Sequence, residues 1–516
     1  MSPDRFSARS ERDESEAVGL PGSLGGSSLR EAEPFSPPSG PEHVTLPASR
    51  VAHRALVTFV VALDFAIATA GIVLVAPLRY SWSDLLAGFQ GAGGVAVLFL
   101  SAIAWLGALS ARGAYRPRIM VSRSDQLARV LSAAVVAWLA THLFVVWFKV
   151  VVPFESRLVM GLSLPATLAL FAAARLLLVR PLSSLVHRRL AQGPVLFIGD
   201  GESAPDAAKA FEAGDHRRRR VSYHPLRDFT PGRAASVVRE QECGEVMVLP
   251  ETGQVGEALE VAFAALDAGA DVTLMAPEFH LLKGRPNSDA LDQLPTLRLR
   301  RLDYGGLEAF FKRMVDVVGA AIGLAVLSPF LAAIALAVKL SSPGPVIFKQ
   351  DRIGRKGEPF PMFKFRTMRD GNDSREYEAY SREFIREGAA AYVAPDGSKI
   401  YKPPADPRVT RIGSVLRKYS LDELPQLWNV LRGEMSLVGP RPCMFHEWAL
   451  YDPWQKRRLD VLPGCTGLWQ VRGRSRVRFD EMVILDLYYA HRGTLFTDAR
   501  LIVQTVPVML LGRGAY

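Results

Sequence analysis

The sequence predicts a membrane α/β protein in three parts. A four-helix transmembrane bundle comes first, a doubly wound α/β domain second, and last an α+β domain that dips into the membrane through a re-entrant hairpin. Three observations predict it. Four apolar segments, at about 54–78, 90–110, 128–152 and 158–179, are each long enough to cross a bilayer, which takes around 20 residues. A strand, a Gly-rich turn and a helix follow one another at 194–213. A fifth apolar segment, 317–338, carries Ser328-Pro329 at its middle.

Residues 1–49 are rich in Ser, Gly, Pro and Glu and hold too few apolar side chains for a core, so a disordered tail is expected. The bundle occupies 50–190. Its orientation follows from charge. Arg112, Arg116, Arg118 and Arg123 lie between the second and third segments, and Arg175, Arg180, Arg188 and Arg189 follow the fourth. The link between the third and fourth has only Lys149 and Arg157. Positive charge stays inside, so both ends of the bundle face the cytoplasm.

Residues 191–303 form the α/β domain. Strand residues 194–198 (PVLFI) run into Gly199-Asp200-Gly201-Glu202-Ser203-Ala204, a G-x-G-x-x-A turn, and later strands are expected at 245–249 and 271–275. The domain is therefore Rossmann-like. A dinucleotide site would need an acidic ribose reader about 20 residues on, and Arg217–Arg220 stand there instead. Those arginines fit either an extra phosphate or a solvated face.

The last domain spans 304–516, with its hairpin at about 312–340. Lys312 and Arg313 precede the apolar run and Lys339 follows it. Two basic ends favour one cytoplasmic side, and Pro329 removes a helical hydrogen bond where the chain would turn back; the alternative is a kinked full span, because Pro also occurs in crossing helices. The final apolar stretch, 501–511, is too short to span and suits an interfacial helix. The net charge of +10 suits an anionic membrane surface or phosphorylated substrates as well as nucleic acid. Cys243, Cys443 and Cys465 are the only cysteines, with no C-x-x-C pair, which points to reduced thiols and no structural zinc. Arg472, Arg474, Arg476 and Arg478 alternate after Lys456, Arg457 and Arg458. Lipid headgroups or a diphosphate are their expected partners, and no nucleic-acid motif accompanies them.

The chemistry concentrates at 415–442, VLRKYSLDELPQLWNVLRGEMSLVGPRP. Adjacent carboxylates, Asp422 and Glu423, sit among Arg417, Lys418, Arg432 and Arg441, and Pro425 opens an amphipathic run. Pro favours a first helical turn, so the carboxylates should lie at a helix N-terminus, whose field keeps a carboxylate ionised and welcomes phosphate. Ser420 and Glu423 also fit an S-x-x-E capping box, which needs no catalysis.

From the hairpin onward the chain resembles the bacterial sugar transferase family, the monotopic phosphoglycosyl transferases that load undecaprenyl phosphate. The matching pieces are 341–348 (SSPGPVIF), 364–368 (KFRTM), 406–413 (DPRVTRIG), the DELPQLWNVLRGEMSLVGPRP block, 462–471 (LPGCTGLWQV) and Asp498. Cys465 and Leu468-Trp469 replace the more usual Ile and Trp-Ala. Four spans and a Rossmann-like domain ahead of these motifs look like the large members that begin exopolysaccharide, capsule or O-antigen repeats. The resemblance implies that Asp422 attacks the β-phosphate of a UDP-sugar, UDP-galactose or UDP-glucose. UMP leaves, and undecaprenyl phosphate takes the hexose phosphate from the aspartyl intermediate. It implies that Glu423 helps Asp422 hold Mg²⁺, and that Lys364, Arg417, Arg441 and Asp498 serve the substrates. It implies a multi-pass protein of the bacterial inner membrane with its catalytic domain on the cytoplasmic face. Its partners are the lipid bilayer, the UDP-sugar and the lipid phosphate, with no nucleic acid; a homodimer is compatible with it.

Two other readings compete. A membrane-tethered NAD-dependent sugar-nucleotide epimerase or dehydratase would need a Y-x-x-x-K pair and an acidic ribose reader, and 194–302 has neither. A non-catalytic assembly scaffold would not need Asp422. Because every matching motif lies after 305, residues 1–300 are expected to be dispensable for the chemistry.

Overall fold

The computed structural model describes residues 48–83, 92–115, 120, 123–147, 157–190, 194–200, 204–214, 220–251, 253–275, 296–299, 307–369, 375–388, 392–393, 399–400, 408–472 and 477–510. The tail expected at 1–49 lies outside them, apart from its last two residues, which begin the first helix.

The bundle is built from helices Ala48–Val75, Ala92–Ala111, Arg123–Trp147 and Arg157–Ala174. The last continues through a π-helical turn, Arg175–Val179, into Arg180–Leu190. Among the described residues four helices are long and apolar enough to cross a membrane. Three belong to the bundle and the fourth is Leu307–Ser341. The second predicted bundle segment gives a shorter apolar run, Val95–Ala111. One correction concerns Arg175. It is not a solvated flanking charge but is 1% exposed and paired with the equally buried Asp64 of the first helix. The pair explains a polar interior that hydropathy alone cannot anticipate.

The α/β domain carries one five-stranded sheet in the order β2-β1-β3-β4-β5. The strands are Val195–Gly199 (β1), Val221–His224 (β2), Glu245–Leu249 (β3), Asp271–Met275 (β4) and Thr296–Leu299 (β5). β1 to β4 run parallel and β5 pairs antiparallel to β4. Alternation along β1 sends Val195 and Phe197 to the core shared with helix Ala204–Gly214, and Leu196 and Ile198 to the core shared with helices Pro231–Glu240 and Val255–Ala268. Both faces are covered, as the doubly wound reading requires.

The Gly-rich turn is used by the fold itself. A Cβ on Gly199 would meet the Leu249 carbonyl oxygen at 2.7 Å, so only glycine lets β1 approach β3 there. Asp200 accepts hydrogen bonds from the Leu226 amide (3.1 Å) and the Gln254 side chain (3.2 Å). Gly201, Glu202, Ser203 and Arg217–Arg219 lie outside the described residues, and Arg220 is exposed.

The last domain is α+β, as expected. β6 (Ile347–Ile353) and β7 (Pro359–Phe365) form an antiparallel hairpin, β8 (Tyr392–Val393) pairs with β9 (Lys399–Ile400), and β10 (Ser436–Val438) pairs parallel with β11 (Gly464–Thr466). Its core is continuous with that of the α/β domain. Helix Phe479–Arg492 contributes Val483 and Leu487 to the cluster that holds Leu259, Leu266 and Leu299. The terminal helix, Leu495–Leu510, buries Leu501 and exposes Val503 and Val506, the two-faced pattern expected of it.

The helix expected to break at Ser328-Pro329 runs unbroken over 35 residues, Leu307–Ser341. Pro329 cannot donate to the carbonyl of Ala325, and the Ser328 hydroxyl does so instead at 2.8 Å. Both ends of this helix are nevertheless tied to the same domain. At the start, Arg313 donates to the carbonyls of Val430 (2.7 Å) and Leu431 (2.9 Å), and Lys312 bonds Ser436 (2.6 Å). At the end, Ile334 and Val338 pack with Phe365 and Leu416, and Arg366 clasps the carbonyls of Ser342 (2.6 Å) and Pro343 (2.8 Å).

Candidate active site

The two carboxylates stand on a short 3₁₀ turn, Leu421–Glu423, between helices Arg411–Lys418 and Gln426–Arg432. Ser420 enters this turn in the left-handed region (φ 54°), an uncommon conformation for a side-chain-bearing residue. Its side chain makes no capping hydrogen bond, so the capping-box reading fails. Helix Gln426–Arg432 begins after Pro425 and is closed by Gly433 in the left-handed region (φ 87°). Buried Asn429 fastens it to β7, accepting from the Phe363 amide (3.1 Å) and donating to the Pro361 carbonyl (2.7 Å). That clamp fixes the next residue of β7, Lys364, beside the carboxylates.

Lys364 Nζ lies 3.2 Å from Glu423 Oε1, and Arg441 lies 3.6 Å from the same oxygen. These residues line a small, partly open cleft together with Arg352, Met362, Gln426, Pro442, Gly464, Cys465 and Gln470. Glycines bring its two walls together. A Cβ on Gly439 would meet the Leu462 carbonyl at 2.4 Å, and one on Gly464 would overlap the Gly439 backbone. The VGPRP and LPGCTG motifs therefore pack backbone to backbone.

Asp422 is 9% exposed. Burial raises its pKa, the neighbouring Glu423 carboxylate adds to the rise, and Lys364 and Arg417 oppose it. This corrects the expectation of an acid held low by a helix end. The carboxylate sits in a separate turn ahead of a seven-residue helix, and loss of hydration outweighs the cations nearby. Burial also lowers the Lys364 pKa, with Glu423 opposing.

Of the residues singled out in the sequence, Lys364, Asp422, Glu423 and Arg441 come together. Arg417 is not among the residues lining the cleft; its Nε donates to Thr367 Oγ1 at 2.9 Å, and its charge acts on Asp422. Asp498 does not join the cleft. Its carboxylate takes Lys312 at 2.9 Å and the Tyr489 hydroxyl at 2.7 Å, tying the terminal helix to the foot of the membrane helix. The basic run before the arginine stripe is likewise turned inward. Arg457 grips Asp267 of helix Val255–Ala268 (2.9 and 3.2 Å), and Arg458 is buried against Asp486 at 2.6 Å. Arg474 and Arg476 fall outside the described residues.

Arg352, Gln426 and Gln470 also line the cleft and were not singled out in the sequence. Arg352 is 4% exposed and is held by the Gln350 side chain (2.8 and 3.2 Å). Gln426 is 3% exposed. An arginine in a hairpin strand and a glutamine in a helical run carry no spacing signal of their own.

A family model described as bacterial sugar transferase matches residues 307–512. The exopolysaccharide production protein ExoY of Sinorhizobium fredii is 42% identical over 205 residues, which are 40% of this chain and 88% of ExoY. The chain belongs to the bacterial sugar transferase family. This sugar transferase is also 38% identical over 256 residues to the UDP-glucose:undecaprenyl-phosphate glucose-1-phosphate transferase of Caulobacter vibrioides, covering 45% of the chain and 86% of that protein. It is 40% identical over 210 residues to the undecaprenyl-phosphate galactose phosphotransferase of Salmonella typhimurium, covering 40% of the chain and 42% of that protein. The chain thus spans less than half the length of the longer relatives it matches. The matched region holds the whole cleft.

Proposed function

We propose that this sugar transferase moves a hexose 1-phosphate from a UDP-sugar to undecaprenyl phosphate, releasing UMP, as the first step in building an exopolysaccharide, O-antigen or capsule repeat. The observation that carries the reading is the buried Asp422 beside Glu423, with Lys364 and Arg441 converging on the Glu423 carboxylate. The names of the Salmonella and Caulobacter relatives supply the lipid acceptor and make UDP-galactose and UDP-glucose the first donors to try.

The reaction divides into two displacements. An Asp422 carboxylate oxygen attacks the β-phosphorus of the donor. The bond from that phosphorus to the bridging oxygen breaks, and UMP leaves with the electron pair. A phosphate oxygen of the lipid then attacks the same phosphorus and releases the Asp422 carboxylate, giving the lipid diphosphate sugar. Lys364, Arg352 and Arg441 face the diphosphate with fixed positive charge.

Asp422 and Glu423 fit a shared Mg²⁺. They are hard oxygen donors whose mutual repulsion already raises the Asp422 pKa. Among the described residues no cluster of three or more metal-binding side chains exists. Magnesium accepts such a site, taking one or two carboxylates and completing its shell with substrate phosphates and water. Bound there, it would neutralise charge on the diphosphate.

The cytoplasmic placement of the cleft rests on the membrane helix. Lys312 and Val338, near its two ends, both contact the domain that holds the cleft, which supports both ends lying on that domain's side of the membrane. Arg112, from the basic link of the bundle, stacks 4.0 Å over Phe496 of the same domain, in keeping with a shared cytoplasmic side.

The test is UMP release over a panel of UDP-sugars, with and without undecaprenyl phosphate. One hexose donor is expected to turn over only when the lipid is present. No UMP from any UDP-sugar would overturn the reading.

A further inference from the structure

We infer that the side-chain amide of Gln426 binds the transferring phosphoryl group, as a neutral hydrogen-bond donor aimed at its non-bridging oxygens. The inference rests on the proposed function and deepens it. Gln426 lines the cleft and is 3% exposed, yet among the described residues its amide makes no hydrogen bond. The amide atoms are not among the buried polar atoms shut off without a partner, so they open onto the cleft, where a ligand can meet them. A polar group kept unpaired at the wall of a cleft is matched to a ligand.

The surroundings say which ligand group. Leu424 and Pro425 both have right-handed helical dihedrals, so the chain from the 3₁₀ turn into the helix keeps one helical sense. Residues four apart then share a face, which sets Gln426 on the side of Asp422. Lys364, Arg352 and Arg441 line the same cleft. An acceptor drawn there is anionic, and the anionic group next to Asp422 in the proposed reaction is the phosphoryl under attack. The amide adds a donor without adding charge, so it can follow charge developing on the phosphoryl oxygens without tightening the hold on UMP. Gln426 is then a catalytic residue, one turn beyond the nucleophile.

Two near-isosteric variants test this, Gln426→Met, which removes the donor, and Gln426→Glu, which replaces it with an acceptor. The readouts are single-turnover UMP release at saturating UDP-sugar and the inhibition constant of UMP. Gln426→Met is expected to slow release about 100-fold, the cost of losing one such donor, with UMP inhibition unchanged within about twofold. Gln426→Glu should be slower still. Release from Gln426→Met within about threefold of wild type would overturn the inference. So would an equal loss in UMP binding, which would make the residue a nucleotide contact or a purely structural one. If the wild-type protein itself releases no UMP, the proposed function fails first, and that outcome is distinct from either.

Discussion

The chain carries two loops whose sequences suggest anion binding, and their fates differ. In the Gly-rich turn after β1, the described groups are consumed by the fold. Gly199 makes room for the Leu249 carbonyl, and both Asp200 oxygens accept hydrogen bonds from within the domain. In the DELPQ turn the groups face outward into a cleft. Three cations line it, Glu423 projects into it, and among the described residues Gln426 makes no side-chain hydrogen bond. A motif whose polar atoms are already paired explains packing. A motif that turns polar side chains toward a cleft lined by cations explains chemistry.

Four experiments can break or sharpen this contrast. The largest effect is expected at the DE pair. Asp422→Asn should lower turnover by roughly a thousandfold or more while membrane insertion and melting temperature are kept. Glu423→Gln should also be crippled, and raising Mg²⁺ should recover part of its rate. An Asp422→Asn protein with full turnover would leave the cleft no more functional than the Gly turn.

Topology comes next. Cysteines placed at exposed positions after 341 should resist membrane-impermeant reagents added outside intact cells. Strong external labelling would mean that helix Leu307–Ser341 crosses the bilayer and that the cleft lies outside.

At the Gly turn the effect should fall on stability. Gly199→Ala forces a methyl against a backbone oxygen and should cost about 1–3 kcal/mol, seen as a lower melting temperature in detergent. Turnover per folded molecule should change little. A large loss of turnover with unchanged melting would make the turn a functional site.

The smallest effect is expected at the contact between the domains. Arg457 and Asp267 are partly exposed, so Arg457→Ala should cost at most about 1 kcal/mol and Asp267→Ala about the same, with little further loss in the double mutant. The apolar part of this contact matters more. Val483 and Leu487 share a core with Leu259 and Leu299, so a fragment beginning near 304 would expose apolar surface that the full chain buries. The expectation that residues 1–300 are dispensable thus meets a structural cost. The residues matched to ExoY nevertheless make up 88% of that relative.

Much of this was legible in sequence, and the gaps have physical reasons. Hydropathy, strand–turn–helix order and the Pro425 signal located the bundle, the sheet and the carboxylate turn, because each is a local or periodic property. The unbroken helix at Pro329 was not legible, because it depends on a hydroxyl repairing one carbonyl. The roles of Asp498 and Arg458 were not legible either. Each finds its partner far along the chain, at Lys312 and Asp486. The electrostatics of Asp422 were not legible, since burial is a tertiary property that outweighs a local field.

The central claim is that Asp422 carries the hexose phosphate. The most direct measurement is the mass of the intact protein, and of its Asp422 peptide, after incubation with a UDP-sugar donor and Mg²⁺ but no lipid. The account predicts a hexose-phosphate adduct on that peptide, absent in Asp422→Asn and discharged when undecaprenyl phosphate is added. A protein that turns over fully yet never gains that mass, with kinetics requiring donor and lipid bound together, would contradict it and assign the attack directly to the lipid phosphate.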